Sequence, residues 1–242
     1  MNDEPQNSAN SFDLTLLANF VHQIVNPLNG VAGTLDNLAS GKIDRERRVQ
    51  RLNTTRAQVE QCISLLRNLA FLAKGAAGIP VEKNATCILP QVIIESAMCY
   101  QEEGENKKIR ISLMDKASQN RVEGRPELVR QVLMNLFDNC IKYGASETVV
   151  EVNQWIQSDT KMAIITVKSQ SYPPVVASEM PRLFDLGFRG ANAKQIIASG
   201  TGLGLYICKN IVESSLGGSL HVQSDGPRGI LFTIKLPNGE RG

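Results

Sequence analysis

Leu14, Val21, Leu28 and Leu35 form a seven-residue column of branched apolar side chains, and Leu17, Ile24, Val31 and Leu38 form a second column three residues behind it. Apolar residues alternating at spacings of three and four trace one stripe along a helix, and a stripe that returns every seven residues packs against another helix. Ser40-Gly41 stops this helix, because glycine accepts the left-handed backbone that closes a helix C-terminus. A second helix is predicted over 44–74, with an apolar stripe of Leu52, Val59, Ile63, Leu66, Ala70 and Ala73. The short turn between the two makes them antiparallel. A two-helix hairpin cannot bury such a seam by itself. A four-helix bundle built from two copies is the simplest cover for it, so the hairpin predicts a homodimer.

Gly75-Ala76-Ala77-Gly78-Ile79-Pro80 breaks the helical pattern and marks a domain boundary. The chain then reads as a polar tail (1–11), the hairpin (12–74), a linker (75–83) and a second domain (84–242) of mixed α and β character. Strand patterns fall at 85–89, 108–114, 148–157, 163–168, 219–223 and 230–236, and helical patterns at 91–101, 126–143 and 202–215. The stretch 172–199 is rich in Pro, Gly, Ala and Ser and has no sustained period, as expected of a long functional lid. The fold class predicted is α+β.

Composition narrows the function classes. A net charge of +2 and a pI near 8.3 are too weak to argue for nucleic acid. No run of about 18 apolar residues occurs, so no membrane segment is predicted. The polar, acidic start is unlike a secretory signal, and the expected location is cytoplasmic. The five cysteines form no C-x-x-C pair and are expected to be reduced, buried thiols.

Three constellations carry chemistry. Ser199 to Tyr206 reads S-G-T-G-L-G-L-Y and runs into an apolar helix. Glycines let backbone N–H groups approach an anion, so Gly200, Thr201, Gly202, Leu203 and Gly204 read as a phosphate cradle, or alternatively as a flexible loop before a helix. In L-M-N-L-F-D-N-C-I-K-Y, the helical register brings Asn135, Asn139, Lys142 and Tyr143 together. An Asn carbonyl suits Mg²⁺, a lysine ammonium suits phosphate oxygens, and a tyrosine ring can lie against a base; the plain alternative is the wet face of a half-buried helix. His22 follows a core column by one residue, so it faces solvent at the edge of the seam, with Asn26 one turn on. An exposed histidine with a neutral ring nitrogen and a polar neighbour can accept phosphate. Pro27 removes the hydrogen bond to the Gln23 carbonyl and is expected to bend or loosen the helix there. Alone, His22 reads as a surface histidine beside a proline; in this company it reads as a phosphoacceptor.

Together these motifs resemble the core of a two-component sensor histidine kinase, over nearly the whole chain. The phosphoacceptor box is similar at His22, Asn26, Pro27 and Leu28, and the asparagine box at Asn135, Asn139, Lys142 and Tyr143. An aromatic box matches Arg182-Leu183-Phe184-Asp185, with Phe188-Arg189-Gly190 after it, and the second glycine box matches Gly200 to Leu205. The resemblance implies a dimerisation and phosphotransfer hairpin followed by a Bergerat-type α/β sandwich. It implies that ATP is held by the asparagine box, Arg189 and the glycine run, with Mg²⁺ at Asn139. It further implies that His22 takes the γ-phosphate and passes it to a response-regulator receiver aspartate. Two positions depart from the pattern. Gln23 stands where the family usually has an acidic base, and K-S-Q-S-Y-P-P-V (Lys168 to Val175) replaces the first glycine box, without its adenine-reading Asp or its glycines. The second departure keeps an alternative open: a phosphotransfer or regulatory relative of the same fold that does not use ATP.

Overall fold

The computed structural model describes residues 14–41, 44–76, 86–196 and 202–239. The polar tail, most of the linker, Ser199, Gly200 and Thr201 lie outside the described residues. The chain divides into two compact units, Met1–Pro80 and Val81–Gly242.

The first unit is a hairpin of α1 (Leu14–Ala39) and α2 (Arg45–Ala76). Gly41 adopts a φ of +69° just after α1, the left-handed turn its glycine permits. The helices are antiparallel: the Cys62 thiol lies 3.6 Å from the Ile24 carbonyl, and Gln58 lies against Gly30. A methyl group on Gly30 would sit 2.7 Å from Gln58 Nε2, so this glycine sets the closest approach. α1 runs through Pro27 as one helix of 26 residues.

The two apolar columns of α1 part ways. Ile24, Val31 and Leu38 are half-buried, whereas Val21, Leu28 and Leu35 are about half exposed. The predicted stripe of α2, Leu52, Val59, Ile63, Leu66, Ala70 and Ala73, is exposed throughout. Among the described residues, the buried positions of α2 are instead Thr55, Cys62, Leu65 and Asn68. One apolar column of α1 and the apolar stripe of α2 are therefore left uncovered by the hairpin.

The second unit is built on a five-stranded sheet of β2 (Arg110–Leu113), β4 (Val149–Ile156), β5 (Met162–Gln170), β7 (Gly229–Pro237) and β6 (Ser219–Ser224), in the spatial order β2-β4-β5-β7-β6. β2 runs parallel to β4, and the other neighbours are antiparallel. β1 (Thr86–Ile88) and β3 (Arg121–Glu123) form a separate small ribbon. Alternation sends one face of the large sheet inward. Val152, Val167 and Phe232 make one buried cross-strand row, and Ile165, Ile234 and Leu220 another. The opposite face is polar, with Asn153, Thr166, Thr233 and His221 in register. The inner face shares its core with α3 (Leu89–Met98), α5 (Pro126–Tyr143) and α7 (Gly204–Asn210), from which Ile93, Leu133, Phe137 and Ile207 are fully or almost fully buried.

Local differences from the sequence reading have local causes. The helix expected over 91–101 is two helices, α3 and α4 (Gln101–Lys107), separated at Cys99-Tyr100. The polar Q-E-E-G-E-N-K segment hides α4 from an apolar pattern, and left-handed Lys108 ends it at φ +56°. β3 is too short to show alternation. The expected lid contains a 3-10 turn (Ala177–Arg182) and α6 (Ala191–Ile196). The helix expected over 202–215 starts at Gly204 and winds wider into a π turn over Ile211–Ser215. Of the five free cysteines four are buried, but Cys99, at the end of α3, is exposed.

Candidate nucleotide and phosphoacceptor sites

α5 is the frame of the candidate nucleotide site. Pro126 occupies its first turn, where the missing N–H costs nothing, and the helix holds for 18 residues. Lys107 closes its far end by donating to the carbonyls of Ile141 (2.8 Å) and Lys142 (2.9 Å), which would otherwise lack partners. Burial pulls the Lys107 pKa down, and neighbouring Lys142 adds to that.

The four expected residues on α5 do not behave alike. Asn135 is 6% exposed and fully engaged: Nδ2 donates to the Gly204 carbonyl (3.3 Å), Oδ1 accepts from Gln131 Nε2 (3.4 Å), and the Cys208 thiol is hydrogen-bonded to it. Asn139 is half-buried, and its amide makes no hydrogen bond among the described residues. Lys142 pairs with Asp138 one turn back (2.6 Å). The Tyr143 carbonyl accepts from the Tyr172 N–H (3.0 Å). Asp138, Gln131 and Lys107 were not singled out in the sequence; their roles show only once partners distant in sequence or one turn away are visible.

Of the glycine run, Gly202, Leu203 and Gly204 are described. Gly202 has φ +68°, and a methyl group there would meet the backbone of Gly187 and Phe188 at 2.6 Å. Leu203 is buried at the head of α7. Gly204 faces Asn135, with space for a methyl group at 3.9 Å. The run is thus bound on one side to the 187–188 backbone and on the other to α5. Arg189 donates from Nη2 to the Ala193 carbonyl (3.2 Å). The lid is tied down further by the Ala191 N–H to Glu179 Oε1 (2.9 Å) and by Asn192 Nδ2 to the Pro174 carbonyl (2.9 Å). Phe184 stacks edge-on to Phe232 at 6.5 Å, and the Arg182 guanidinium covers the Phe188 ring at 4.5 Å.

The segment in place of the first glycine box is built into the sheet. β5 reaches Gln170, and Ser171 pairs with Gly144 and donates its N–H to the Arg228 carbonyl (2.8 Å). Ser169 is buried and hydrogen-bonded to the Cys140 thiol, whose pKa burial pushes up to about 11. Tyr172 is exposed beneath the Arg228 guanidinium (5.2 Å) and precedes a cis Pro173. No carboxylate stands in this segment.

In the first unit His22 and Asn26 are both exposed, one turn apart on α1. Gln23 is half-buried, and its Oε1 is buried without a hydrogen-bond partner. A shallow groove of about 330 Å³ along α7, lined by residues including Phe184, Tyr206 and Lys209, contains none of the expected site residues. Among the described residues no helix is long and apolar enough to cross a membrane, and no group of three His, Cys, Asp or Glu is placed to hold a metal.

Residues 14–78 match the His Kinase A (phospho-acceptor) domain, and residues 124–240 match the histidine kinase-, DNA gyrase B-, and HSP90-like ATPase family. The chain is 27% identical to the sensor protein KdpD of Clostridium acetobutylicum over 224 residues, which is 92% of this chain and 24% of that protein. It spans from 18% to 32% of the length of the curated relatives it matches. Among solved structures, the Acinetobacter baumannii histidine kinase AdeS superposes with a TM-score of 0.61 at 21% identity, over 89% of this chain and 97% of that one. The histidine kinase ThkA, solved in complex with response regulator protein TrrA, superposes with a TM-score of 0.62 at 18% identity, over 92% and 61% of the two chains. With a phosphoacceptor hairpin and an ATPase-type α+β unit in this order, the chain belongs to the sensor histidine kinase family.

Proposed function

We propose that this chain is a working histidine kinase module: it transfers the γ-phosphoryl group of ATP to His22 and then to an aspartate on a response-regulator receiver domain. The observation that carries the reading is the Asn139 amide. It is half-buried and uncommitted, one turn from Lys142, on the helix to which Asn135 fastens the glycine run. A neutral carbonyl oxygen and a lysine ammonium are the donor set that a magnesium triphosphate requires, because Mg²⁺ takes one or two protein oxygens and shares the rest of its shell with phosphates and water. Mg²⁺ would supply charge neutralisation between the phosphate groups; Asn139 would be its protein ligand, Lys142 would contact phosphate oxygens, and Tyr143, Arg189 and the 200–204 run would complete the nucleotide site.

A His22 ring nitrogen supplies the electron pair for the new nitrogen–phosphorus bond. The bond from the γ-phosphorus to the bridging oxygen breaks, and ADP leaves with that pair. The proton on the other ring nitrogen must then depart. A neighbouring carboxylate would accept it, but the Gln23 amide cannot, so it passes to water and the step is slow. Asn26, on the same exposed face, would position water for dephosphorylation of the partner regulator, since a neutral amide can orient water without acting as a base. The homodimer is part of the proposal: the exposed stripes of Val21, Leu28 and Leu35 on α1 and Leu52, Val59, Ile63 and Leu66 on α2 need an apolar partner. The pairing of ThkA with TrrA in a crystal supports a response regulator as the downstream partner.

A second reading is favoured by one observation, the 168–175 segment. With Ser169 turned to Cys140 and no carboxylate for an adenine amino group, the chain would be a phosphotransfer or regulatory relative that does not consume ATP. Calorimetry with Mg-ATP and Mg-GTP separates the two. The kinase reading predicts weak, Mg²⁺-dependent binding of both nucleotides, since a lost charged hydrogen bond costs about 10- to 100-fold in affinity, and loss of that binding in Asn139→Ala. No heat with either nucleotide at millimolar concentration promotes the second reading.

A further inference from the structure

Asn135 and Asn139 occupy equivalent positions one turn apart on α5, yet their side chains meet opposite circumstances. Asn139 is half-buried and has no hydrogen bond among the described residues. Asn135 is 6% exposed and makes three contacts of defined polarity. Its Nδ2 must face the Gly204 carbonyl, because the reversed amide would set two acceptors 3.3 Å apart. The same orientation leaves Oδ1 to accept from Gln131 (3.4 Å), and Cys208 on the next turn of α7 adds its thiol. The thiol stays neutral there: burial pushes its pKa to about 12, and it also reaches the Val132 carbonyl at 3.6 Å. A Mg²⁺ ion keeps several of its waters when it binds, and a side chain this enclosed leaves no space for them.

We infer that Asn135 is a positioning residue that never touches metal or nucleotide: its amide bolts the first turn of α7, and through it the glycine run, onto α5. Gly202 supplies the other anchor by packing against the backbone of Gly187 and Phe188. Of the two asparagines of α5, Asn139 is then the one presented to a ligand, and Asn135 acts on affinity only through the backbone it holds. The inference rests on the nucleotide reading of this face.

The test is Asn135→Asp in the full chain, with nucleotide affinity measured across a range of Mg²⁺ concentrations and hydrogen exchange followed peptide by peptide. Aspartate keeps the shape but replaces the donor with an oxygen facing the Gly204 carbonyl. If Asn135 were a metal ligand, the added carboxylate would preserve or strengthen Mg²⁺-dependent binding, as Asn139→Asp is expected to do. As a positioning residue, its replacement lowers affinity at least about tenfold at every Mg²⁺ concentration, the loss of roughly one buried hydrogen bond. Exchange should rise in the peptide covering 203–210 while the β4, β5 and β7 peptides keep their protection. Should the Asp variant fail to fold, Asn135→Ala carries the same exchange readout without a buried charge. Binding retained, or restored by added Mg²⁺, overturns the inference, as does unchanged exchange over 203–210. If the wild-type protein binds no nucleotide, the kinase reading falls, and the exchange comparison alone decides the role of Asn135.

Discussion

Gly202→Ala is the most informative single substitution in the second unit, because its cost follows from two independent features of the backbone. The residue sits at φ +68°, where any side chain with a Cβ loses about 1–2 kcal/mol. The added methyl carbon would also lie 2.6 Å from the Gly187 carbonyl carbon and the Phe188 carbonyl oxygen. These are main-chain atoms that cannot rotate aside, so the 187–188 turn must move, at about 1–3 kcal/mol by analogy with overpacked cores. The two add to roughly 2–5 kcal/mol. At about 2–4 °C per kcal/mol for a domain of this size, the melting temperature should fall by at least about 4 °C. Gly204→Ala is the internal control. Its methyl group would meet only Asn135 Cβ and Cγ at 3.9 Å, an ordinary van der Waals contact, at the first residue of α7. Differential scanning calorimetry on the full chain reads both. A Gly202→Ala protein as stable as the wild type, or one no worse than Gly204→Ala, would refute the account of the glycine run as a segment clamped between the 187–188 turn and α5.

The Gln23 position, the buried thiols and the exposed stripes give three further tests. Gln23→Glu supplies the absent base beside His22 and should raise the rate of autophosphorylation, by up to about 10²-fold or more where proton removal limits the step; an unchanged rate would mean that water or another group suffices. The Cys87, Cys140 and Cys208 pKa values are pushed by burial to about 11, 11 and 12, so the neutral thiol is the form the fold favours. Stability from these groups is complete below the ordinary thiol value near 9 and is lost as pH rises toward 11 and 12, at up to about 1.4 kcal/mol per pH unit for each thiol. Urea midpoints between pH 8.5 and 10 should therefore fall less steeply in Cys208→Ala than in the wild type, and equal slopes would contradict the assignment. Leu28→Glu places a charge in an exposed apolar stripe of α1 and should convert a sedimenting dimer to monomer; a wild-type monomer at micromolar concentration counts against the bundle.

Periodicity made the hairpin, α5 and most strands legible, because each repeats its apolar residues over two turns or several pleats. What stayed hidden was short or polar. β3 has three residues, α4 is a run of Gln, Glu and Lys around Gly104, and the 3-10 turn and α6 lie within a Pro- and Gly-rich stretch. The stripe of α2 was read correctly as apolar, but sequence could not show that the hairpin buries Thr55, Cys62, Leu65 and Asn68 in preference to it. The site residues show the same limit. Register put Asn135 and Asn139 on one face, and only the position of Gly204, 69 residues on from Asn135, distinguishes the engaged amide from the uncommitted one.

Phosphorylation of His22 from ATP is read by incubating the protein with γ-labelled ATP and Mg²⁺. Protein-bound label should appear slowly, be acid-labile and base-stable, be absent in His22→Ala and be strongly reduced in Asn139→Ala. Label that persists in His22→Ala, or no label at all from a protein that folds and dimerises, would contradict phosphorylation of His22.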